Sequence, residues 1–102
     1  MLVHHHTHRR NLSGIRAGGL KTAKSRGARK VVWLHTSSLA AWACEHMLRR
    51  RIPLADLVCV TVDVPRSWLK KTCWTGVWTV DRDIPTDRIV AVGGYRMEAV
   101  SF

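Results

Sequence analysis

An α+β fold is what the order of elements predicts. Helix-like patterns come early, at residues 9–17 and 39–50, and β-type runs dominate later, at residues 57–64, 74–80 and 89–93. Such segregation argues against alternating βαβ units. No repeat or low-complexity tract interrupts the chain. With 102 residues, 46% of them apolar, residues 1–102 read as a single domain with a small but adequate core.

The elements follow in order. Residues 1–8 read MLVHHHTH, and Leu2, Val3 and the histidines predict a first strand. Alternation puts His4 and His6 on one face and His5 on the other. Imidazoles bind Zn²⁺ well, but no cysteine or carboxylate stands nearby in the sequence to complete a tetrahedron, so no metal is expected. Residues 9–17 predict a short helix, with Asn11 or Ser13 as its cap, Leu12 and Ile15 as its apolar contacts, and Gly18 and Gly19 at its end. Leu20 then docks after the turn. Residues 21–30 form a basic loop containing Ser25 and Gly27.

Residues 29–51 organise the rest of the chain. Val31, Val32, Trp33 and Leu34 make a β-branched and aromatic run too short for a buried helix. Ser37 or Ser38 can cap the helix that follows. Leu39, Trp42, Ala43 and Met47 fall on one face of it, and Glu45 and Arg49 stand four apart. Arg49, Arg50 and Arg51 suit the negative end of its dipole, and Pro53 stops it. Residues 57–64 are the strongest strand. Val58, Val60, Val62 and Val64 share one face; Leu57, Cys59, Thr61 and Asp63 share the other. Near-continuous apolarity predicts a central position. Asp63 is expected to pair with an arginine. Residues 66–71 read as a basic turn of helix with Trp68 and Leu69 turned inward. Residues 74–80 predict a strand with a bulge at Gly76, residues 81–85 a turn, and residues 89–93 a last buried strand. Residues 95–102 are expected to add an edge segment.

The net charge is +10, and its placement says more than its size. Arg9, Arg10, Arg16, Lys21, Lys24, Arg26, Arg29 and Lys30 precede any acidic residue. Such a field attracts phosphates, whether of RNA, DNA or a dinucleotide; the plainer reading is a solvated basic face. Cys44, Cys59 and Cys73 form no C-x-x-C pair, which predicts reduced thiols, with Cys44 and Cys59, inside a helix and a strand, in packing roles. No apolar run reaches the ~18–20 residues of a membrane span. The expectation is therefore a cytoplasmic protein with no membrane partner. Five tryptophans, Trp33, Trp42, Trp68, Trp74 and Trp78, mostly fill a core in such a chain; any exposed beside arginines would stack bases.

Several pieces align with one family. His5-His6-Thr7, then Asn11-Leu12, Ile15 and Gly19-Leu20, resemble the opening of ADP-ribosyltransferase-like domains, where an H-x-T strand end leads into a short helix and a G-L turn. Val32-Trp33-Leu34 and the helix from Leu39 are similar to the family's next strand and helix. Gly76-Val77-Trp78 and the run from Ile84-Pro85 to Arg88-Ile89 are similar to its C-terminal pieces, and the RNA 2'-phosphotransferase branch has a comparable pairing. The resemblance covers roughly residues 2–95.

The resemblance implies small split sheets, antiparallel or mixed, with two main helices and NAD⁺ in the cleft between the halves. It implies that His5 hydrogen-bonds a ribose, that Thr7 supports the following loop, and that Trp33 stacks on nicotinamide. Arg26 and Arg29 would meet the pyrophosphate as forked donors, and His35 would face the cleft or cap the helix. Many transferases of this kind carry a late-strand glutamate that stabilises the developing charge. Residues 76–78 hold no carboxylate, so Asp81 and Asp83 stand as the nearest catalytic candidates beside His5. The expected activity is transfer of ADP-ribose to a nucleic acid or protein, or action on an RNA phosphate. The alternative is a non-catalytic nucleic-acid-binding module that uses the basic N-terminal third.

Overall fold

The computed structural model describes residues 1–25, 29–36 and 47–94. The expected cap at Ser37 or Ser38, most of the helix from Leu39, Trp42, Cys44, the Glu45–Arg49 pair, Arg26 and the edge segment 95–102 lie outside the described residues. Six strands make one antiparallel sheet: β1 (Leu2–His8), β2 (Val32–His35), β3 (Leu57–Asp63), β4 (Lys70–Lys71), β5 (Val77–Val80) and β6 (Ile89–Gly94), in the order β4-β5-β2-β1-β3-β6. One helix, α1 (Leu12–Gly18), follows β1 after a 3₁₀ turn at Arg9–Asn11.

The valine alternation of β3 sets the core. Val58, Val60 and Val62, with Val64 just beyond, are buried on one face. Val3 pairs with Val62 and adds to that face. Val32, Leu34 and Val80 extend it, and Ile15 of α1, Leu20 and Ile84 close over it. Each such side chain contributes about 1.5–3 kcal/mol of burial. On the other face of β3, Leu57 is also fully buried, Cys59 and Thr61 are half-buried, and Asp63 is exposed. β3 is thus an inner strand between β1 and β6, as its apolarity predicts.

Backbone geometry explains the turn after α1. Gly19 closes the helix at φ 80° and ψ −167°, a conformation open essentially to glycine. A Cβ there would strike the carbonyl oxygen of Ile84. That close approach lets Leu20 form an isolated β-bridge with Ile84, through N–H···O bonds of 2.9 and 2.8 Å. Asn11 precedes α1 without capping it; its Nδ2 donates instead to Thr7 Oγ1 at 2.9 Å. His8 caps the preceding turn, accepting from the Arg10 N–H.

Four local expectations change. Residues 70–71 are a short strand, not part of a helical turn, because Lys70 and Lys71 pair with Thr79 and Trp78. Gly76 is a turn residue at φ 76°, and the register shift falls between Thr61 and Val62 instead. β6 is not buried: it pairs on one side with β3, and Val90 is 55% exposed. Asp63 bonds the N-terminal amine at 2.9 Å, and the expected arginine, Arg88, acts on it through its charge and not by a bond.

The ladders of the sheet differ in length among the described residues. β1 shares seven register pairs with β3, and β2 shares four with β5. Between β1 and β2 there is one pair among the described residues, His4↔His35. No further register pair joins β1 to β2 among the described residues, although the two strands stay neighbours in the one sheet. β4-β5-β2 and β1-β3-β6 are therefore two halves of a continuous sheet, meeting at the seam with the shortest described ladder.

Candidate nucleotide site at the seam of the half-sheets

The seam lies between His5, His6 and Thr7 on β1 and Val32, Trp33 and Leu34 on β2. Past the single register pair, the ring of His5 crosses the seam, with Nδ1 2.9 Å from the Trp33 carbonyl oxygen. A carbonyl only accepts, so Nδ1 carries the proton and Nε2 keeps its lone pair. Nε2 has no partner among the described residues. Burial lowers the His5 pKa, and the bond to Trp33 offsets part of that effect. His5 is thus a neutral ring at physiological pH, a hydrogen-bond acceptor for a hydroxyl rather than a cation for a phosphate.

His6 stands on the other face. Its ring meets that of His35 edge-on, with centroids 5.4 Å apart and planes at 63°. Both residues are buried. Burial, followed by the charges of His35, His5 and His4, lowers the His6 pKa to about 3. On the same face His4 Nδ1 lies 2.8 Å from Thr61 Oγ1 and 3.6 Å from Cys59 Sγ. The common face of His4 and His6 follows from alternation along the strand. Their meeting with His35 and Thr61 depends on strand pairing, which no local pattern announces.

The expected site residues separate into three groups. His5, Thr7, Trp33 and His35 lie along or beside the seam. Thr7 is buried and accepts from Asn11, tying the strand end to the turn that follows. The pairing His4↔His35 places Trp33 on the face of His6 and His35, whereas His5 opposes Val60 on the other face. The His5 and Trp33 rings therefore do not face one another across a single cleft. The link between the two residues is from the His5 ring to the Trp33 backbone carbonyl. Trp33 contacts Trp74, with ring centroids 6.3 Å apart, and Trp74 is 53% exposed.

Arg29 is exposed, and its carbonyl accepts from Ser25 Oγ at 3.0 Å. Arg26 lies outside the described residues. Asp81 and Asp83 correct the catalytic expectation. They follow Val80, which pairs with Val32 at the end of β2 away from His35. Asp81 accepts from Lys70 Nζ at 2.6 Å, and this bond lowers its pKa. Asp83 accepts from the Thr22 N–H at 2.9 Å and the Thr22 hydroxyl at 3.1 Å, and its pKa is lowered first by the backbone bond. Both carboxylates hold turns together and do not reach the histidines of the seam.

A shallow groove of about 250 Å³ lies along the β4–β5 hairpin, lined by Lys71, Thr72, Trp74, Gly76 and Trp78 among others. The Trp78 Nε1 is buried with no acceptor among the described residues. No group of three or more metal-ligating side chains is present among the described residues. No helix among them is long and apolar enough to cross a membrane. Compared with known proteins, the chain matches no family model and no curated protein.

Proposed function

We propose that this chain is an ADP-ribosyltransferase-like domain that binds NAD⁺ or a related nucleotide at the seam between its half-sheets. One observation carries the reading: β1 and β2 share a single register pair among the described residues, and His5 crosses the seam through Nδ1 to the Trp33 carbonyl, leaving Nε2 for a ribose hydroxyl. Neutral imidazoles suit hydroxyl recognition, and the chain's net charge of +10 suits the phosphates. Trp33 offers an aromatic surface on the His6 and His35 face, without His5 opposite it. Transfer of ADP-ribose to a nucleic acid or protein, or action on an RNA phosphate, is the activity this reading assigns. With Asp81 and Asp83 engaged in turns, His5 remains the candidate residue at the reacting ribose.

Isothermal titration of the full chain with NAD⁺ tests the reading. Binding by the wild type, weakened about tenfold in His5→Ala through loss of one hydroxyl hydrogen bond, is the expected result. A wild-type titration without heat of binding at two temperatures would overturn it.

A further inference from the structure

A second arrangement lies away from the seam, where three turns meet. Trp68 closes the 3₁₀ turn Arg66–Trp68 after β3 and packs half-buried against the core. The guanidinium carbon of Arg82 lies 4.6 Å from the centroid of its ring, and that of Arg88 lies 5.2 Å from it. Cation–π contacts of this kind contribute about 0.5–1 kcal/mol each at exposed sites and hold the planar groups in place.

The nearby carboxylates make their bonds elsewhere, and the charges of Arg88 and Arg82 act on Asp63 and Asp81 only as a smaller, through-space effect. Asp63 bonds the N-terminal amine, Asp81 bonds Lys70, and Asp83 holds Thr22 with Lys21 at 3.7 Å. Asp87, beside Arg88 in the chain, is exposed and bonds neither arginine. Among the described residues, neither Arg82 nor Arg88 makes an ion pair or a side-chain hydrogen bond. Arg66 adds a third positive charge in the same turn. The result is a pair of guanidiniums held against an indole, whose N–H forks have no bonded acceptor among the described residues.

We propose that Trp68, Arg82 and Arg88 form a docking surface for single-stranded nucleic acid, its phosphates taken by the two forks. A guanidinium matches a phosphate in bidentate geometry, which a lysine cannot do. An unpaired base stacks readily on an arginine plane or an indole, whereas bases inside a duplex are not free to do so. The net charge of +10 supplies the long-range attraction. This surface does not depend on the nucleotide reading of the seam, and it differs from the basic N-terminal third.

Fluorescence anisotropy of the full chain with a labelled single-stranded RNA of about 12 nucleotides tests the proposal across a salt series. In the Arg82→Ala/Arg88→Ala variant, binding is expected to weaken about tenfold or more. Its salt slope flattens by about 0.7 for each phosphate no longer neutralised. The Arg82→Lys/Arg88→Lys variant keeps the charge, so its weakened binding reports the forks and the stacking themselves. Arg50→Gln/Arg51→Gln removes equal charge from exposed positions outside the basic N-terminal third and is expected to bind within about twofold of wild type. Circular dichroism melts accompany each variant; should the double alanine variant unfold, the lysine pair decides. The proposal is overturned if wild type does not bind RNA or if the lysine pair binds like wild type. It is equally overturned if the control pair loses as much affinity as the alanine pair, or if polyglutamate competes as well as unlabelled RNA, which would assign the surface to acidic proteins.

Discussion

In the half-sheet β1-β3-β6, seven register pairs join β1 to β3, and Val3, Val60 and Val62 have no exposed surface at all. In the half-sheet β4-β5-β2, the ladders are two and four pairs long, and polar bonds in the turns recur. Lys70 holds Asp81, Asp83 holds Thr22, and Thr72 bonds across its own loop. The second half buries Leu34 and Val80 as completely, and turns with their hydrogen bonds add to that burial. The seam lies between them, so its geometry depends on both. A change that loosens the short half alone is expected to alter the seam while leaving β1 and β3 paired.

The largest effect is expected where the halves share a core. Leu34 of β2 is fully buried among Val3, Val60 and Val80, residues of both halves. Leu34→Ala is expected to cost about 2–5 kcal/mol, read as a lower urea midpoint by circular dichroism. A single transition with an unchanged slope would show that the halves unfold as one unit. Two resolved transitions would show that the division at His4↔His35 is energetic as well as geometric.

A smaller effect follows from the histidines on the seam. His6 titrates near 3 in the folded chain against an ordinary 6.5, and the His5 pKa is also lowered. The unfolded chain therefore binds protons that the folded chain refuses. Stability is fully present above about pH 6.5 and falls as the pH drops below that value, by up to about 1.4 kcal/mol per pH unit for one histidine. The loss attributable to His6 ends near pH 3. Asp63, Asp81 and Asp83, whose pKa values are lowered from 3.8, act only at the acid end of that range. Urea midpoints at pH 7.5, 6.0 and 5.0 should thus decline in wild type and flatten in His6→Gln. Equal declines in both proteins would show that His6 is not kept neutral by its surroundings.

Much of the long half was legible from local pattern. The valine alternation of β3 specifies its buried face, and the glycines after α1 mark a turn that only glycine fits. The short half was harder to read. β4 is two lysines that become a strand only through pairing with Thr79 and Trp78. The long half had its own misreading: residues 89–93 are apolar enough to read as buried, yet β6 has its described partner on one side only. At the candidate site, the shared face of His4 and His6 was visible in the sequence. The separation of the His5 and Trp33 rings was not, since it rests on one register pair formed between residues 31 positions apart. Asp81 and Asp83 read as free carboxylates because their partners, Lys70 and Thr22, reach them only in the folded chain.

The smallest expected effect makes the contrast between the halves sharpest. The Thr72 hydroxyl lies 2.8 Å from the Val77 carbonyl and 3.1 Å from that of Trp74, and it accepts from the Trp74 N–H at 3.2 Å. These bonds fold the loop that carries Trp74 toward Trp33 and bring Gly76 to the Thr36 N–H, whose bond to the Gly76 carbonyl is 3.0 Å. Thr72→Val keeps the shape and removes the hydroxyl, at an expected cost of about 1 kcal/mol. If the short half depends on its turns, amide exchange should quicken in Val77–Val80 and Val32–His35 and stay unchanged in Leu57–Asp63. Uniform quickening across all three strands would mean that the loop acts only through global stability, and that the seam does not separate two independently held halves.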